Sequence, residues 1–324
     1  MLRFLIRRLL WACFLFIAVT LVTYVIFFLA PANPERVICG GERARPGCLK
    51  TVRAELKLDK PIVIQYGWFL KRLVIDRNLG KSYITEQPVN QLIRDAAPVT
   101  ASLVFGGAIL WLIIGLSVGI LSALKPRSLL DRGAMVFVLI GVSAHPIWIG
   151  LIFSYFFGAR LGWMPITGYC DAFSPPPGLG CGGILDWAHH MILPWATFAI
   201  LFAALYVRMV RANVLETMNE DFVRTARAKG APESKVMRSH ILRNALLPVV
   251  TMLGMDIGIA LGGAIFTESI FTLPGLGRTA VVAINQYDLP IVQGVVVFGT
   301  IAIILFNLLV DILYAFIDPR IRLA

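Results

Sequence analysis

The sequence is poor in charge. Only 15% of its 324 residues are charged and 58% are hydrophobic, whereas an average soluble domain carries about 25% charged residues. This composition excludes an ordinary water-soluble globule, because the polar coat that water demands is missing. Acidic residues are fewer than basic residues, 19 against 30, which gives a net charge of +11. Since much of the basic charge flanks apolar runs, it indicates membrane orientation, and we expect no nucleic-acid binding.

Motifs for catalysis and cofactor binding are also missing. The sequence has no HExxH zinc helix and no Cys-x2-Cys metal spacing. The segment Gly80-Lys81-Ser82 matches the end of a phosphate-binding loop, but Ile75 stands where that loop needs its first glycine. We therefore expect a non-catalytic chain that holds no metal and no cofactor itself. If ATP drives it, another chain must bind the nucleotide.

Long apolar runs are what the sequence has instead. A hydrocarbon core about 30 Å thick needs about 20 residues of helix. Six runs have about that length: 9–29, 99–124, 133–157, 191–210, 246–265 and 291–316. The first is too long for a signal-peptide core and has no small-residue cleavage site, so we expect it to remain as an anchor. The predicted fold class is an all-α membrane protein with about six transmembrane helices.

Basic residues beside the runs predict the orientation. The segments on one side, both termini included, carry sixteen Lys and Arg residues, and the two shorter loops on the other side carry two. The remaining twelve lie in loop 31–97, which is too long for the positive-inside rule to apply. Both termini are therefore expected in the cytoplasm. The predicted organisation is a cytoplasmic segment and first helix at 1–30, an external loop domain at 31–97, and a core of five helices at 98–324 containing a cytoplasmic loop at 211–245.

Four of the five cysteines fall in predicted external loops, on the oxidising side of the membrane. Local pairs, Cys39 with Cys48 and Cys170 with Cys181, are the simplest of three connectivities. Four free thiols are the alternative. The first external loop also contains an apolar pattern at 61–73, which predicts an amphipathic helix lying on the outer surface or packing on the membrane core.

The loop before the fifth run predicts a short exposed helix. Asn219 is expected to cap it, Gly230 to end it in a left-handed conformation, and Pro232 to begin a second helix. Small side chains on the first helix would let a partner surface approach closely, although an ordinary basic loop is the alternative. The residues predicted to form this surface are Phe222, Thr225, Ala226, Ala228, Lys229 and Gly230.

The same loop makes the chain recognisable. Residues 224–230 resemble the cytoplasmic loop of ABC importer permeases, and are most similar to the first permease subunit of the dipeptide/oligopeptide/nickel family. Arg224-Thr225-Ala226 stands where many of those permeases have Glu-Ala-Ala, so Ala226 and Gly230 carry the general pattern. Further similar stretches are Asp131-Arg132, Pro146 with Trp148 and Gly150, Leu161-Gly-Trp-Met-Pro165, Pro274-Gly-Leu-Gly277, Gln293-Gly294, Asn307, Asp311 and Asp318-Pro-Arg320.

The resemblance implies a type I ABC importer in the plasma (inner) membrane. This chain would form its pore with a second homologous permease, among membrane lipids. Two ATPase subunits would bind ATP and Mg, and an external substrate-binding protein would deliver small peptides. Segment 219–236 would contain the helix that couples ATP hydrolysis to uptake. Import of nickel or another small solute is the alternative, and a secondary transporter is disfavoured because the two halves show no obvious repeat.

Two features of the apolar runs need a separate interpretation: a carboxylate and a set of regularly spaced glycines. Asp256 lies about two turns inside the fifth run, where a carboxylate costs about 2.5–3.5 kcal/mol unless it is paired or hydrated. It either lines the translocation path, with Gly258 nearby, or pairs with Arg208 or Arg211. Glycines at four-residue spacing in the second and fifth runs also predict close helix packing: Gly115, Gly119, Gly254, Gly258 and Gly262.

Overall fold

The structure is a computed structural model that describes residues 2–29, 60–172, 182–262 and 264–317, together with positions 36, 39, 47, 49, 50 and 53. The described residues are mostly helical, and an isolated antiparallel bridge joins Lys81 to Pro88. In chain order the helices are α1 (Leu2–Leu29), α2 (Ile62–Val74), α3 (Val89–Leu124), α4 (Leu129–Ser143), α5 (Pro146–Arg160), α6 (Ile184–Met218), α7 (Asp221–Ala228), α8 (Glu233–Ala245), α9 (Leu247–Leu261), α10 (Ile265–Ile270), α11 (Leu276–Asn285) and α12 (Leu289–Ile317).

The long helices confirm the predicted all-α membrane fold. Helices α1, α3, α6 and α12 are each long and apolar enough to cross a bilayer. Two further spans are formed if each of two bent pairs is counted as one span, α4 with α5 and α8 with α9. The six predicted runs therefore fall on these elements in order. The predicted division of the chain at residues 30 and 97 stays a prediction.

Pro146 lies within the third predicted run, where proline predicts a kink in a single helix, but the run consists of two separate helices. Helix α4 ends at Ser143, and the chain bends by 106° between α4 and α5. Pro146 has no backbone N–H and restricts the residue before it to extended angles, and His145 does have φ −71° and ψ 138°. With 15 residues, α4 is about 22 Å long, which is shorter than the hydrocarbon core.

The described residues within Met1–Thr100, Gly258–Ile265 and Pro274–Ala324 form one compact unit. Its core joins the start of α3 to α11 and α12 through buried residues such as Val89, Leu276 and Val292. A second cluster packs Tyr66 and Phe69 of α2 against α1 and α12. The predicted helix is confirmed, and of its two expected placements the structure shows packing on the membrane core. Its exposed residues include the apolar Val63 and Trp68 as well as Lys71.

Close helix packing in this unit confirms the glycine prediction for Gly258 and Gly262 of the fifth run. A Cβ on Gly258 would lie 3.1 Å from the Ile303 Cα, and one on Gly299 would lie 3.0 Å from the Gly262 Cα. The backbones of α9 and α12 approach closely because these positions carry no side chain.

Ala101–Ile257 and Phe266–Leu273 form the second compact unit. Here α3 packs on α6, and the predicted packing role of Gly115 and Gly119 is confirmed. A Cβ on either glycine would lie within 2.8 Å of a Tyr206 or Val210 side-chain carbon. Stacking of Trp111 of α3 on Phe202 of α6, with ring centroids 4.5 Å apart, strengthens the same contact.

Candidate functional site

Helices α7 and α8 form a hairpin at residues 219–245, the segment in which the sequence predicts a partner surface. Two side chains on one face of α7, Val223 and Ala226, are buried. They pack toward the π-helical segment Val236–Leu242 of α8, whose Val236 and Ile241 are buried as well. The hairpin therefore has a small apolar core of its own, which fixes the orientation of α7.

The outward face of α7 consists of exposed residues, among them Thr225, Ala228 and Lys229. Phe222, at the edge of this face, is a large apolar side chain that is 41% exposed. Ala226 differs from the prediction, because its side chain is only 8% exposed and faces its own hairpin. Ala226 belongs to the hairpin core, and Ala228 is the small residue on the outward face.

The C-terminus of α7 follows the prediction. Gly230 has φ +76°, so the expected left-handed conformation is confirmed. Gly230 N donates to Arg227 O at 2.9 Å and Ala231 N to Ala226 O at 3.3 Å, the two bonds of a Schellman motif. Arg227 Nη2 also donates to Glu233 Oε1 at 2.6 Å across the turn. This bond raises the pKa of the Arg227 guanidinium and lowers the pKa of the Glu233 carboxyl, so both changes favour the ionised pair.

The N-terminus of α7 does not follow the prediction. Asn219 was expected to cap it, but Asn219 ends α6, and its Nδ2 donates back to Leu215 O at 2.9 Å. Helix α6 runs to Met218, eight residues beyond the predicted end of the fourth run. Glu220 takes the N-cap position with extended backbone angles and no side-chain bond.

The end of α6 holds the hairpin from the other side. Asn213 Nδ2 donates to Ala245 O of α8 at 3.3 Å, and Val214 is fully buried beside it. One turn further along α6, Thr217 is buried, and its hydroxyl donates a hydrogen bond to Asn213 O at 2.7 Å. The hairpin is therefore presented on two helical stems, α6 and α9.

A partly buried ion pair lies two turns before the end of α6 and was missed by the sequence reasoning. Arg211 donates to Asp131 of α4 through Nε at 2.6 Å and Nη2 at 2.9 Å. The sequence did contain a signal, since Ser128 and Asp131 have the Ser-x-x-Asp spacing of a helix start before an apolar run. Ser128 does cap α4, and its hydroxyl accepts a bond from Asp131 N.

Asp256 has a partner other than the arginines considered from the sequence. Its Oδ2 accepts a hydrogen bond from Tyr206 Oη at 2.7 Å. The alternative of a pair with Arg211 is wrong, because Asp131 occupies that guanidinium. Asp256 is partly exposed, whereas Gly258 is buried against α12. We attribute Gly258 to helix packing and keep Asp256 as a candidate for the translocation path.

Cys39 and Cys170 are both disulfide-bonded in the structure, while Cys48 and Cys181 lie outside the described residues. The pairing of Cys39 with Cys48 and of Cys170 with Cys181 stays a prediction. Peptide mapping under non-reducing conditions would test it, and complete alkylation of all four cysteines without reductant would contradict it. Within the described part of the chain, no group of three or more His, Cys, Asp or Glu side chains is arranged to hold a metal ion.

Comparison with known families identifies the chain. Residues 115–323 match the family described as binding-protein-dependent transport system inner membrane component. Residues 1–104 match the N-terminal family of the same membrane components. The chain belongs to this permease family. It is accordingly a multi-pass inner-membrane protein, and the family resemblance drawn from its sequence is confirmed.

Individual relatives of this permease extend over nearly its full length. A putative peptide transport system permease protein of Brucella abortus (strain 2308) is 36% identical over 317 residues, covering 98% of each chain. The dipeptide transport system permease protein DppB of Alkalihalophilus pseudofirmus is 38% identical and covers 99% of this chain and 100% of its own.

A solved structure agrees with the fold of this permease. The MetNI methionine ABC transporter, in its inward-facing form, is similar with a TM-score of 0.55 at 20% identity, over 72% of this chain and 99% of that chain. At this identity the likeness concerns the fold alone, which is that of a type I ABC importer permease.

Proposed function

We propose that the chain is a pore-forming subunit of an ATP-driven importer of small peptides. The observation that carries the proposal is the match to relatives named as peptide or dipeptide transport permeases, at 36% and 38% identity over nearly the whole of both chains. In this account the chain is not an enzyme. ATP and Mg bind to partner subunits, and the chain converts their motion into opening of a pore.

The α7–α8 hairpin is the proposed contact with an ATPase subunit. Three features support this role: an apolar core that fixes α7, a small residue at Ala228 on its outward face, and an exposed aromatic side chain at Phe222. A rigid helix on two stems transmits displacement to the membrane helices rather than absorbing it. Thr225, Lys229 and Gly230 complete the proposed contact.

The remaining subunits of the proposed importer are a second homologous permease, two ATPases and an external substrate-binding protein. The orientation that this assembly needs, with both termini and the hairpin in the cytoplasm, is the one that the basic residues predict. The exposed apolar residues along α1, such as Leu10 and Phe14, suit contact with membrane lipid.

A cross-linking experiment tests the hairpin contact. A photoreactive probe on Thr225→Cys, assembled with the partner subunits in vesicles, should cross-link to an ATPase subunit. The matched control is Thr85→Cys, which is also exposed but lies on the predicted external loop, and it should give no ATPase adduct. An assembly that imports normally and shows no adduct at Thr225 would refute this contact.

A further inference from the structure

Asp131 joins three helices within one compact unit. Its carboxylate accepts hydrogen bonds from the Ser122 hydroxyl near the end of α3, from the Arg127 backbone N at 2.8 Å, and from Nε and Nη2 along one edge of the Arg211 guanidinium. The Asp131 side chain is 6% exposed and that of Arg211 is 26% exposed. We call Asp131, Ser122, Arg127 and Arg211 the carboxylate clamp.

The bonds of the carboxylate clamp fix the relative orientation of the helices that carry them. A guanidinium that donates two parallel bonds to one carboxylate fixes both distance and orientation, which a lysine ammonium cannot do. The turn between α3 and α4 is also held, because Arg127 has φ +65°, a left-handed conformation that a side chain disfavours. The bond from Arg127 N to Asp131 keeps that turn in place.

The clamp lies on the stem of the α7–α8 hairpin. Arg211 precedes Asn213 and Val214, through which the same helix holds α8. Helix α6 contacts both Val236–Leu242 and Arg243–Ala245 of α8. The carboxylate clamp thus adds a two-pronged charged bond to the apolar packing of α6 on α3 and α4.

We propose that Asp131 and Arg211 are positioning residues for coupling: they lock the end of α6, and with it the hairpin, to α3 and α4. A displacement of the hairpin then moves these helices as one. This inference rests on the proposed function, in which the hairpin contacts an ATPase. It extends that function by giving one partly buried ion pair a part in the step between hairpin and membrane helices.

Arg211→Lys tests the proposal, because it keeps the positive charge that balances Asp131 but removes the two-pronged geometry. We expect uptake per ATP hydrolysed to fall about tenfold, the factor that corresponds to one lost charged hydrogen bond. ATPase activity and the cross-link from Thr225→Cys should persist, since the hairpin itself is unchanged. Arg208→Lys, an exposed position one turn earlier on α6, is the matched control and should behave as wild type.

A second variant separates coupling from folding. In Asp131→Asn combined with Arg211→Gln, both charges are removed, so no uncompensated buried charge remains, and the amount in the membrane should approach wild type. The uptake-to-ATP ratio should still fall, because the rigid bidentate bond is gone. This variant supplies the decisive ratio if Arg211→Lys does not accumulate.

The outcomes distinguish this inference from the proposed function. A wild-type ratio of uptake to ATP hydrolysis in the variant that accumulates would overturn the positioning role, while the Thr225 cross-link would leave the ATPase contact intact. If Thr225→Cys gives no cross-link in an assembly that is otherwise wild type, the proposed ATPase contact is refuted. The coupling role of the carboxylate clamp is then refuted as well.

Discussion

At the scale of single residues, two alanines on α7 differ in their surroundings although they are two positions apart. Ala226 faces Val236–Leu242 and is buried, whereas Ala228 is exposed. Helical periodicity separates them, because two residues correspond to about 200° of rotation. The exposed alanine belongs to the proposed docking surface and the buried one to the fold of the hairpin.

This difference predicts two distinct defects. Ala226→Glu would bury a charge without a partner, which costs several kcal/mol, so the hairpin should open and become sensitive to protease. Ala228→Glu should leave protease resistance unchanged and weaken retention of the ATPase subunits. Limited proteolysis together with pull-down of the ATPase measures both effects. Equal protease sensitivity of the two variants would contradict the assignment of faces.

Asp256 gives a second prediction at this scale. Asp256→Asn keeps an oxygen that can accept the Tyr206 hydrogen bond but removes the negative charge. If the carboxylate meets the amine of a passing peptide, uptake of a peptide with a free amino terminus should fall about tenfold, the effect of one charge-assisted contact. Uptake of the N-acetylated peptide should not change. An equal loss for both peptides would assign Asp256 a structural role.

Residue partners were the part that the sequence predicted least well. The cost of an unpaired carboxylate in an apolar run showed that Asp256 needs a partner. It could not distinguish Tyr206 from Arg211, because that choice depends on which faces of α6 and α9 meet. Likewise, spacing marked Asp131 as a helix-start residue, but only the fold brings Arg211, 80 positions later, to the same carboxylate.

At the scale of secondary-structure elements, local chemistry predicted helix ends where a single residue type determines them. Gly230 ends α7 in the left-handed conformation, as expected of glycine after a short helix. The end of α6 was missed, because its last two turns mix polar and apolar residues and lie beyond the apolar run. The break between α4 and α5 was underestimated, because hydropathy sums over a run and contains no information about a bend.

Gly230 provides the prediction at the element scale. A Cβ there has open space, so only the backbone conformation opposes a substitution. Gly230→Val should weaken the turn by about 1–2 kcal/mol and lower uptake relative to ATP hydrolysis. Gly230→Asn tolerates this conformation and should retain most of the coupling. Uptake and ATPase assays on both variants in vesicles measure this. Indistinguishable coupling in valine and asparagine variants would contradict the role of the turn.

At the scale of the whole molecule, composition and charge predicted the membrane class and the number of spans, because the bilayer constrains length and polarity along the entire chain. The long helices that the fold contains follow from that constraint. The orientation of these helices in the membrane rests on the basic residues alone, and it is open to a direct test.

Cysteine accessibility measures the orientation. In a Cys13→Ser background, Thr85→Cys should react with an impermeant thiol reagent added to intact cells, and Ser234→Cys should be protected until the cells are opened. Both positions are exposed, so a difference in labelling reports the side of the membrane. Labelling of Ser234→Cys from outside would reverse the assigned topology.

The central claim is ATP-driven peptide import through this chain, and uptake into vesicles tests it most directly. The permease would be reconstituted with its partner permease, ATPases and binding protein, and accumulation of a radiolabelled dipeptide measured with ATP, without ATP, and with the Gly230→Val variant. The account predicts accumulation above the external concentration that requires ATP and the binding protein, and that falls in the variant. Dipeptide accumulation of equal extent without ATP, or none from a complete assembly that hydrolyses ATP, would contradict it.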